Sequence, residues 1–155
     1  MTQRDTTTRR TVVGNISLSL DGRVTGRGSD SDMSWVAQHA ISNASREFMV
    51  RVTSPATTAL LGRKNYQGFG GYWPTVTRDE SADPRDRSFA LWLDSVEKVV
   101  FSTTVKDADW NNTRIVDAAA ATEVKRMRMG VAGTSSCSTA SVSSTTFSRP
   151  TSWTV

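Results

Sequence analysis

The sequence predicts an α/β domain, a layered sandwich in which helices cover a mostly parallel central sheet. Short apolar runs and helix-like apolar patterns alternate along the first 130 residues, as expected when covering helices connect successive strands. The length of 155 residues suits one compact domain. Hydrophobic residues at 37% and charged residues at 22% are ordinary for a globular chain, so wholesale disorder is not expected.

The first predicted strand spans residues 11–20. Apolar and polar residues alternate there, which is the period of a half-buried strand, and the apolar ones are Ile16, Leu18 and Leu20. The Asp21-Gly22 pair is typical of a turn and ends the strand. A glycine-rich loop is expected to follow as far as Asp32.

The next predicted elements are a helix and a buried strand. Ser42 or Asn43 is expected to cap the helix, which ends before Pro55. Its apolar residues are Ala44, Phe48, Met49 and Val52. The strand covers residues 57–61 and runs directly into a Gly-Arg-Lys sequence. Residues 66–72 contain three glycines, which predicts a loop or a single helical turn.

The second half of the domain repeats this alternation. Pro84 suits the first position of a helix. Apolar residues at helical spacing then predict its buried face, formed by Phe89, Trp92, Leu93 and Val96. Further strands are predicted at residues 98–102 and 114–117, and a last helix at 118–129.

Several classes of protein are excluded by what the sequence lacks. Cys137 and His39 are the only residues of their types, so neither an intrachain disulfide nor a typical zinc site is expected. No run reaches the roughly 18 apolar residues of a membrane span. Residues 1–10 have no apolar core for a secretory signal and predict a flexible arm. We therefore expect a cytoplasmic, metal-free domain without a membrane partner.

The positive net charge of +4 raises the question of nucleic-acid binding. Acidic and basic residues are interleaved, and the densest basic cluster is Lys125-Arg126 with Arg128. Nucleic-acid binders concentrate positive charge on one stripe, with stacking aromatic residues beside it. We therefore expect a solvated surface and no nucleic-acid partner.

The composition changes near residue 130. Among residues 131–155, 14 are Ser or Thr and Arg149 is the single charged residue. This low-complexity stretch has no helical or strand period. If these serines are encoded by UCN codons, reading the codons one base earlier allows an apolar strand at residues 134–139 and then an acidic amphipathic helix at 144–154. We therefore predict that residues 130–155 are an out-of-frame tail, and a genuine disordered tail is the alternative.

Polar residues follow three predicted strands where each strand ends. They form the sequences Asp21-Gly22-Arg23, Gly62-Arg63-Lys64 and Ser102-Thr103-Thr104. In open α/β sheets, ligands bind at the carboxyl ends of the strands. Two cations and a pair of hydroxyl groups suit phosphate groups. The alternative is that Gly62 only ends a strand and Arg63 is solvated.

Four motifs occur in order along the chain: VVGNISLSLDGRVTG at 12–26, DMSW at 32–35, ALLGRKNY at 59–66 and KVVFSTT at 98–104. Together they resemble the dihydrofolate-reductase-like superfamily, in particular the branch that contains the reductase domain of riboflavin biosynthesis. The resemblance covers about residues 11–129. It implies a three-layer αβα sandwich, NADPH as the cofactor, and hydride transfer to a small heterocyclic or imine-like substrate. It also implies that a homodimer can form.

The resemblance assigns roles to individual residues. It implies that Gly62, Arg63 and Lys64 face the cofactor phosphates, and that Ser102 and Thr103 face the 2′-phosphate of the adenosine. The strand at Ile16-Ser17 and the loop Val24-Thr25-Gly26 flank the nicotinamide. The substrate side is lined by Asp21, Trp35, and Phe48 or Met49. All of this requires the loops at 21–26, 62–64 and 102–103 to converge on one groove.

Simpler structural roles remain open for two of these residues, and the proton donor is undecided. Asp21 can serve only as a turn residue before Gly22, and Trp35 can serve only as a core aromatic residue. For the general acid that accompanies hydride transfer, Asp21 is a candidate, and an ordered water is the alternative. His39 is assigned no chemistry.

The sequence departs from the family in two places. Residues 36–42 lack the carboxylate with which a folate reductase pairs its pterin ring, so folate is disfavoured. The expected second glycine loop for the cofactor is not visible after residue 129. We therefore expect a sheet that stops after four strands, marginal stability, and weak or no binding of NADPH. A truncated inactive product and a non-catalytic ligand-binding domain on the same scaffold are the alternatives.

Overall fold

The computed structural model describes residues 10–28, 32–129 and 139–143 of the chain. In chain order, these residues form ten helices and strands. They are β1 (Thr11–Asn15), α1 (Ser34–Ala40), α2 (Asn43–Thr53), β2 (Ala56–Gly62), α3 (Arg63–Arg78), α4 (Pro84–Ser95), β3 (Glu97–Phe101), β4 (Thr113–Val116), α5 (Ala120–Met129) and β5 (Thr139–Ser143).

The strands form one parallel sheet in the order β1-β5-β2-β3-β4. The three adjacent strands β2, β3 and β4 are in register, with Gly62 beside Phe101 and Phe101 beside Val116. All five strands run in the same direction, so their carboxyl ends meet at one side of the sheet, which we call the carboxyl edge. The predicted α/β class with a parallel sheet is confirmed.

Helices cover both faces of the sheet. Ala59, Leu61 and Val100 point to one face, where they pack with residues of α3 and α4 and with Met49 of α2. On the opposite face, Leu60 and Val99 pack against apolar residues of α5. This alternation is the strand period of two, and it explains why β2 and β3 are apolar at nearly every position.

Two of the helices begin where the sequence predicts. The side chain of Ser42 accepts a hydrogen bond from the N–H of Ser45 and caps α2. Asp83 accepts one from the N–H of Arg85 at 2.9 Å, and Pro84 follows it as the first residue of α4. Each cap satisfies a backbone N–H group that has no partner inside its own helix.

The prediction of a loop or one helical turn at residues 66–72 is wrong. These residues lie inside the 16-residue helix α3, although it contains three glycines and Pro74. Tyr66 and Val76 are buried in this helix, and Phe69 and Trp73 pack against the core beside α4. Burial of these large side chains offsets the low helix propensity of glycine and the missing N–H of the proline.

The first strand is shorter than predicted. It ends at Asn15, and the apolar residues of the alternating pattern are exposed: Ile16 by 48%, Leu18 by 55% and Leu20 by 111%. β1 lies at the side of the sheet and pairs with β5, whose last residue Ser143 lies beside Asn15. Residues 16–20 pair with no neighbouring strand among the described residues. The alternating apolar residues there therefore do not form a buried strand face.

The expectation that the sheet stops after four strands is also wrong. Residues 139–143 form β5 and pair with β1 on one side and with β2 on the other. Thr-Ala-Ser-Val-Ser carries one branched apolar residue, whereas parallel strands usually read as continuous apolar runs. The residues of β5 therefore do not predict a parallel strand. Residues 1–9, 130–138 and 144–155, on which the predictions of a flexible arm and an out-of-frame tail fall, lie outside the described residues.

Two further findings concern the described residues alone. None of their helices is long and apolar enough to cross a membrane. Their His, Cys, Asp and Glu side chains form no group of three or more that could hold a metal ion.

Candidate functional site

A cleft of about 530 Å³ opens beside the carboxyl end of β1, between α1, α2, α3 and α4. β1 contributes Asn15, and the residues that follow it contribute Ser17. The helical segments supply the rest of the wall: Met33, Val36, His39, Ala40, Ala44, Ser45, Arg46, Phe48, Met49, Phe69, Trp73, Arg85, Asp86 and Phe89.

Aromatic and sulfur-containing side chains form the inner wall of the cleft. The rings of Trp73 and Phe89 meet edge to face with their centroids 4.5 Å apart, and Phe69 meets Trp73 at 6.3 Å. Met49 and Phe48 line the same space from α2. Such a wall offers a planar ring apolar contact and stacking, and a ring bound there would be shielded from water on that face.

The polar end of the cleft lies at the carboxyl edge of the sheet. The amide nitrogen of Asn15 donates a hydrogen bond to the sulfur of Met49 at 3.1 Å, which links β1 to α2. Ser17 lies two residues further and lines the same end. A ligand in the cleft would therefore have its ring among aromatic residues and one end near these polar side chains.

The charged residues on the wall are joined in ion pairs. The guanidinium of Arg46 donates to both carboxylate oxygens of Asp86, at 3.0 and 2.9 Å. Arg85 pairs with Asp83 at 2.7 Å and lies 3.4 Å from Glu47. Hydrogen bonds from Arg85 hold the pKa of Asp83 far below its usual value, and the hydrogen bond to Asp86 raises the pKa of Arg46. Asp83 and Arg46 therefore remain charged near neutral pH.

The predicted phosphate-binding residues lie together at the carboxyl edge. Gly62 immediately precedes α3, and a Cβ atom there would meet no heavy atom within 4 Å. Arg63 and Lys64 begin the helix and are exposed. Ser102 and Thr103 follow the end of β3, which pairs with β2 at Gly62. The structure thus brings these two segments side by side.

Ser102 also has a local structural role. Its hydroxyl oxygen accepts hydrogen bonds from the N–H groups of Thr104 at 3.2 Å and Val105 at 2.9 Å. These bonds fix the loop after β3. Thr103 is exposed beside it.

Asp21 does not line the cleft. It lies in a turn in which Gly22 has a φ of +78°, a conformation that favours glycine. Its carboxylate accepts hydrogen bonds from the side chains of Ser19 and Arg23, which lower its pKa. An ionised carboxylate in an exposed turn has no proton to donate near neutral pH, so the geometry favours the turn role over that of a general acid.

Gly26 and Trp35 also lie outside the wall of the cleft. Gly26 donates its N–H to the carbonyl of Asp32 at 2.8 Å, and a Cβ atom there would overlap the Asp32 carboxylate. Trp35 is half-buried on α1, and its indole N–H has no hydrogen-bond partner among the described residues. Of the predicted site residues, Ser17, Phe48 and Met49 line the cleft, and no residue of the loops at 21–26, 62–64 and 102–103 does. The expectation that these three loops converge on one groove is therefore wrong.

Two features of the cleft were not predicted from the sequence: the contribution of α1 and the charged pairs of α2 and α4. α1 places Val36, His39 and Ala40 on the wall, a spacing of three and four residues that is a helical signal. α1 was not predicted because Met33, the residue before it, provides no side-chain cap, and because the helix has only seven residues.

A second cavity, of about 570 Å³, lies along α3 near Trp110. The indole N–H of Trp110 donates to Asp94 at 3.1 Å, and the ammonium group of Lys98 lies 4.8 Å from the centre of the indole ring. Lys98 is fully buried and donates to the carbonyls of Leu93, Asp94 and Val96, which terminates α4. These contacts make the Trp110 region a structural support for the helix end.

Comparison with known proteins places the chain in no family. No protein-family model matches it, and no curated protein matches it.

Proposed function

We propose that the protein is an NADPH-dependent reductase of the dihydrofolate-reductase-like type, related to the reductase of riboflavin biosynthesis, that transfers hydride to a small heterocyclic or imine-like substrate. The observation that carries the proposal is a juxtaposition at the carboxyl edge. It retains two of the three expected loops, 62–64 and 102–103, and replaces the loop at 21–26 by the cleft. The aromatic cleft opens at β1, and the cationic helix start with the adjacent hydroxyl segment lies at β2 and β3, with β5 between β1 and β2. Ligands of open α/β sheets bind at this edge.

The residues at the start of α3 fit the phosphates of the cofactor. The first backbone N–H groups of a helix attract anions, and α3 has no acidic residue in its first turn. Open space at Gly62 permits close approach of a phosphate, with Arg63 and Lys64 available to neutralise it. Thr103 would contact the 2′-phosphate end. The bound cofactor would supply the hydride, and the chain would position the two rings.

The cleft residues fit the reacting ring. Phe69, Trp73 and Phe89 would hold a planar substrate by its faces, and the aromatic wall would exclude water from the reacting carbon. Ser17, at the polar end, would lie on the side of the nicotinamide, and Phe48 on the side of the substrate. The proton that accompanies hydride transfer is not assigned to Asp21, because that residue lies in a separate turn.

An NMR titration with NADPH tests the cofactor site even at millimolar affinity. We expect chemical-shift changes at residues 62–64 and 102–103, with a dissociation constant above the micromolar range. Arg63→Ala combined with Lys64→Ala should weaken binding by about tenfold or more, because each charge-assisted hydrogen bond is worth about 1.5–3 kcal/mol. Lys125→Ala removes an exposed cation from α5 and is the matched control. Shift changes that avoid the carboxyl edge would refute the assignment.

A non-catalytic ligand-binding domain on the same scaffold is the second candidate. It is favoured by the engagement of Ser102 in its own loop and by the ion pairing of Asp86, the acidic residue on the described wall of the cleft. NADPH oxidation assayed across cyclic imines and small heterocycles separates the two functions. Binding without turnover of any of them would favour the second candidate.

A further inference from the structure

The ion pairs on the cleft wall bear on which substrates can enter. Arg46 and Arg85 both line the cleft, and two arginines on a binding wall would ordinarily suggest an anionic ligand. Their side chains are 20% and 28% exposed, so a ligand could reach them. Their hydrogen bonds decide whether they can bind one.

Every nitrogen of the Arg46 guanidinium already has a partner within the protein. Nε donates to both oxygens of Asp86, and Nη2 lies 2.8 Å from one of them. Nη1 donates to the carbonyl of Ile41 at 2.6 Å and lies 3.5 Å from Asp83. A carboxylate or phosphate on a substrate would have to displace Asp86 from this two-point contact.

Arg85 is occupied in the same way. Nε and Nη2 donate to the two oxygens of Asp83, at 2.9 and 2.7 Å. Nη2 also donates to the side chain of Asn43, and Nη1 lies 3.4 Å from Glu47. Two guanidinium groups thus share three carboxylates, and the cluster has a net charge of −1.

We infer that the cleft accepts substrates that carry no negative charge. Asp86 is then a specificity residue, which excludes anions because it already accepts the hydrogen bonds of the Arg46 guanidinium. This inference rests on the proposed function for its reaction, since it names the class of ring that would accept the hydride. An anion in the cleft meets apolar aromatic side chains and two guanidinium groups whose nitrogens already have partners in the protein. The charge cluster to which they belong is already negative. Burying an unpaired charge there is costly. An uncharged planar heterocycle meets none of these penalties.

The test compares two planar probes of similar size, quinoline and quinoline-4-carboxylate, by NMR titration of the Trp73 indole signal at pH 7.5 without NADPH. The Trp73→Phe variant assigns that signal. We expect quinoline to bind at least about tenfold more tightly than the carboxylate. Equal binding, or tighter binding of the carboxylate, would overturn the inference.

Substitutions at the ion pairs test the role of Asp86. Asp86→Asn frees the donors of Arg46 and should reduce the preference for quinoline at least threefold. Glu47→Gln should reduce the preference for quinoline to a smaller extent. Because Glu47 is 67% exposed, this variant should fold even if Asp86→Asn does not, and it then serves as the test. Glu80→Gln, an exposed acid in the turn before α4, is the matched control and should leave the ratio unchanged. An unchanged ratio in both test variants would refute the role.

These outcomes separate the inference from the proposed function. If NADPH shifts residues 62–64 while the two probes bind equally, the inference alone fails. If the preference for quinoline holds while NADPH shifts no residue at the carboxyl edge, the proposed function alone fails.

Discussion

Shortening Leu93 to alanine should destabilise the fold strongly. Leu93 lies on α4, is 1% exposed and packs in the main core cluster. It also borders a cavity of about 30 Å³ beneath the cleft, which the shorter side chain would enlarge. Buried Leu→Ala substitutions cost about 2.7–5.0 kcal/mol, which combines lost transfer energy with the energy of the cavity. We expect a loss of about 3–4 kcal/mol in the free energy of unfolding.

Urea denaturation followed by tryptophan fluorescence measures this loss, and the same helix provides its control. Leu91 undergoes the identical substitution at a position that is 52% exposed, so it leaves no cavity in the core. We expect Leu91→Ala to cost less than about 1 kcal/mol. If the two variants differ by less than about 0.5 kcal/mol, then α4 does not bury the face described here, and the assignment of the core fails.

The remaining predictions concern a helix cap, a buried carboxylate and the loop after β1. Ser42→Ala should cost about 1 kcal/mol in urea denaturation, because it removes the cap of α2, whereas Ser54→Ala at the other end of that helix should cost less. Hydrogen bonds from two arginines lower the pKa of Glu123 from 4.5 to about 2, so its stabilising contribution is complete above pH 4.5 and should be lost as the pH falls toward 2. In Glu123→Gln, the urea concentration at the unfolding midpoint should therefore depend less on pH between 4.5 and 2. The same pH dependence in the variant and the original protein would contradict the assignment. Gly26→Ala should displace the carboxylate of Asp32 and lower the midpoint temperature of thermal unfolding. Equal midpoint temperatures for the variant and the original protein would show that the loop accommodates a Cβ atom.

The parts of the fold that the sequence predicted are those with strong local signals. Ser42 before α2 and Asp83-Pro84 before α4 are capping patterns that act within a few residues. β2 and β3 are buried on both faces, so their apolar runs were visible without knowledge of any partner. The carboxyl edge could be predicted as well, because parallel strands place the residues after Gly62 and Phe101 side by side.

The remaining parts depend on contacts between distant residues. Three glycines and Pro74 argue against a helix locally, and only the packing of Trp73 and Phe89 explains α3. The carboxylate of Asp86 carries no sequence signal for its pairing with Arg46, forty residues away. Neither motif nor periodicity contains that information, so the specificity of the cleft could not be read from the sequence.

The position of β5 has a consequence for the order of folding. β1 is joined to the sheet through β5, although 123 residues lie between Asn15, the last residue of β1, and Thr139, the first residue of β5. As a ribosome synthesises the chain, β2, β3 and β4 can assemble early, whereas β1 cannot join the sheet until residues 139–143 have emerged. Such distant pairings slow folding and prolong the exposure of unpaired strand edges. The polar end of the cleft, which Asn15 and Ser17 form, would therefore be the last part of the binding surface to mature.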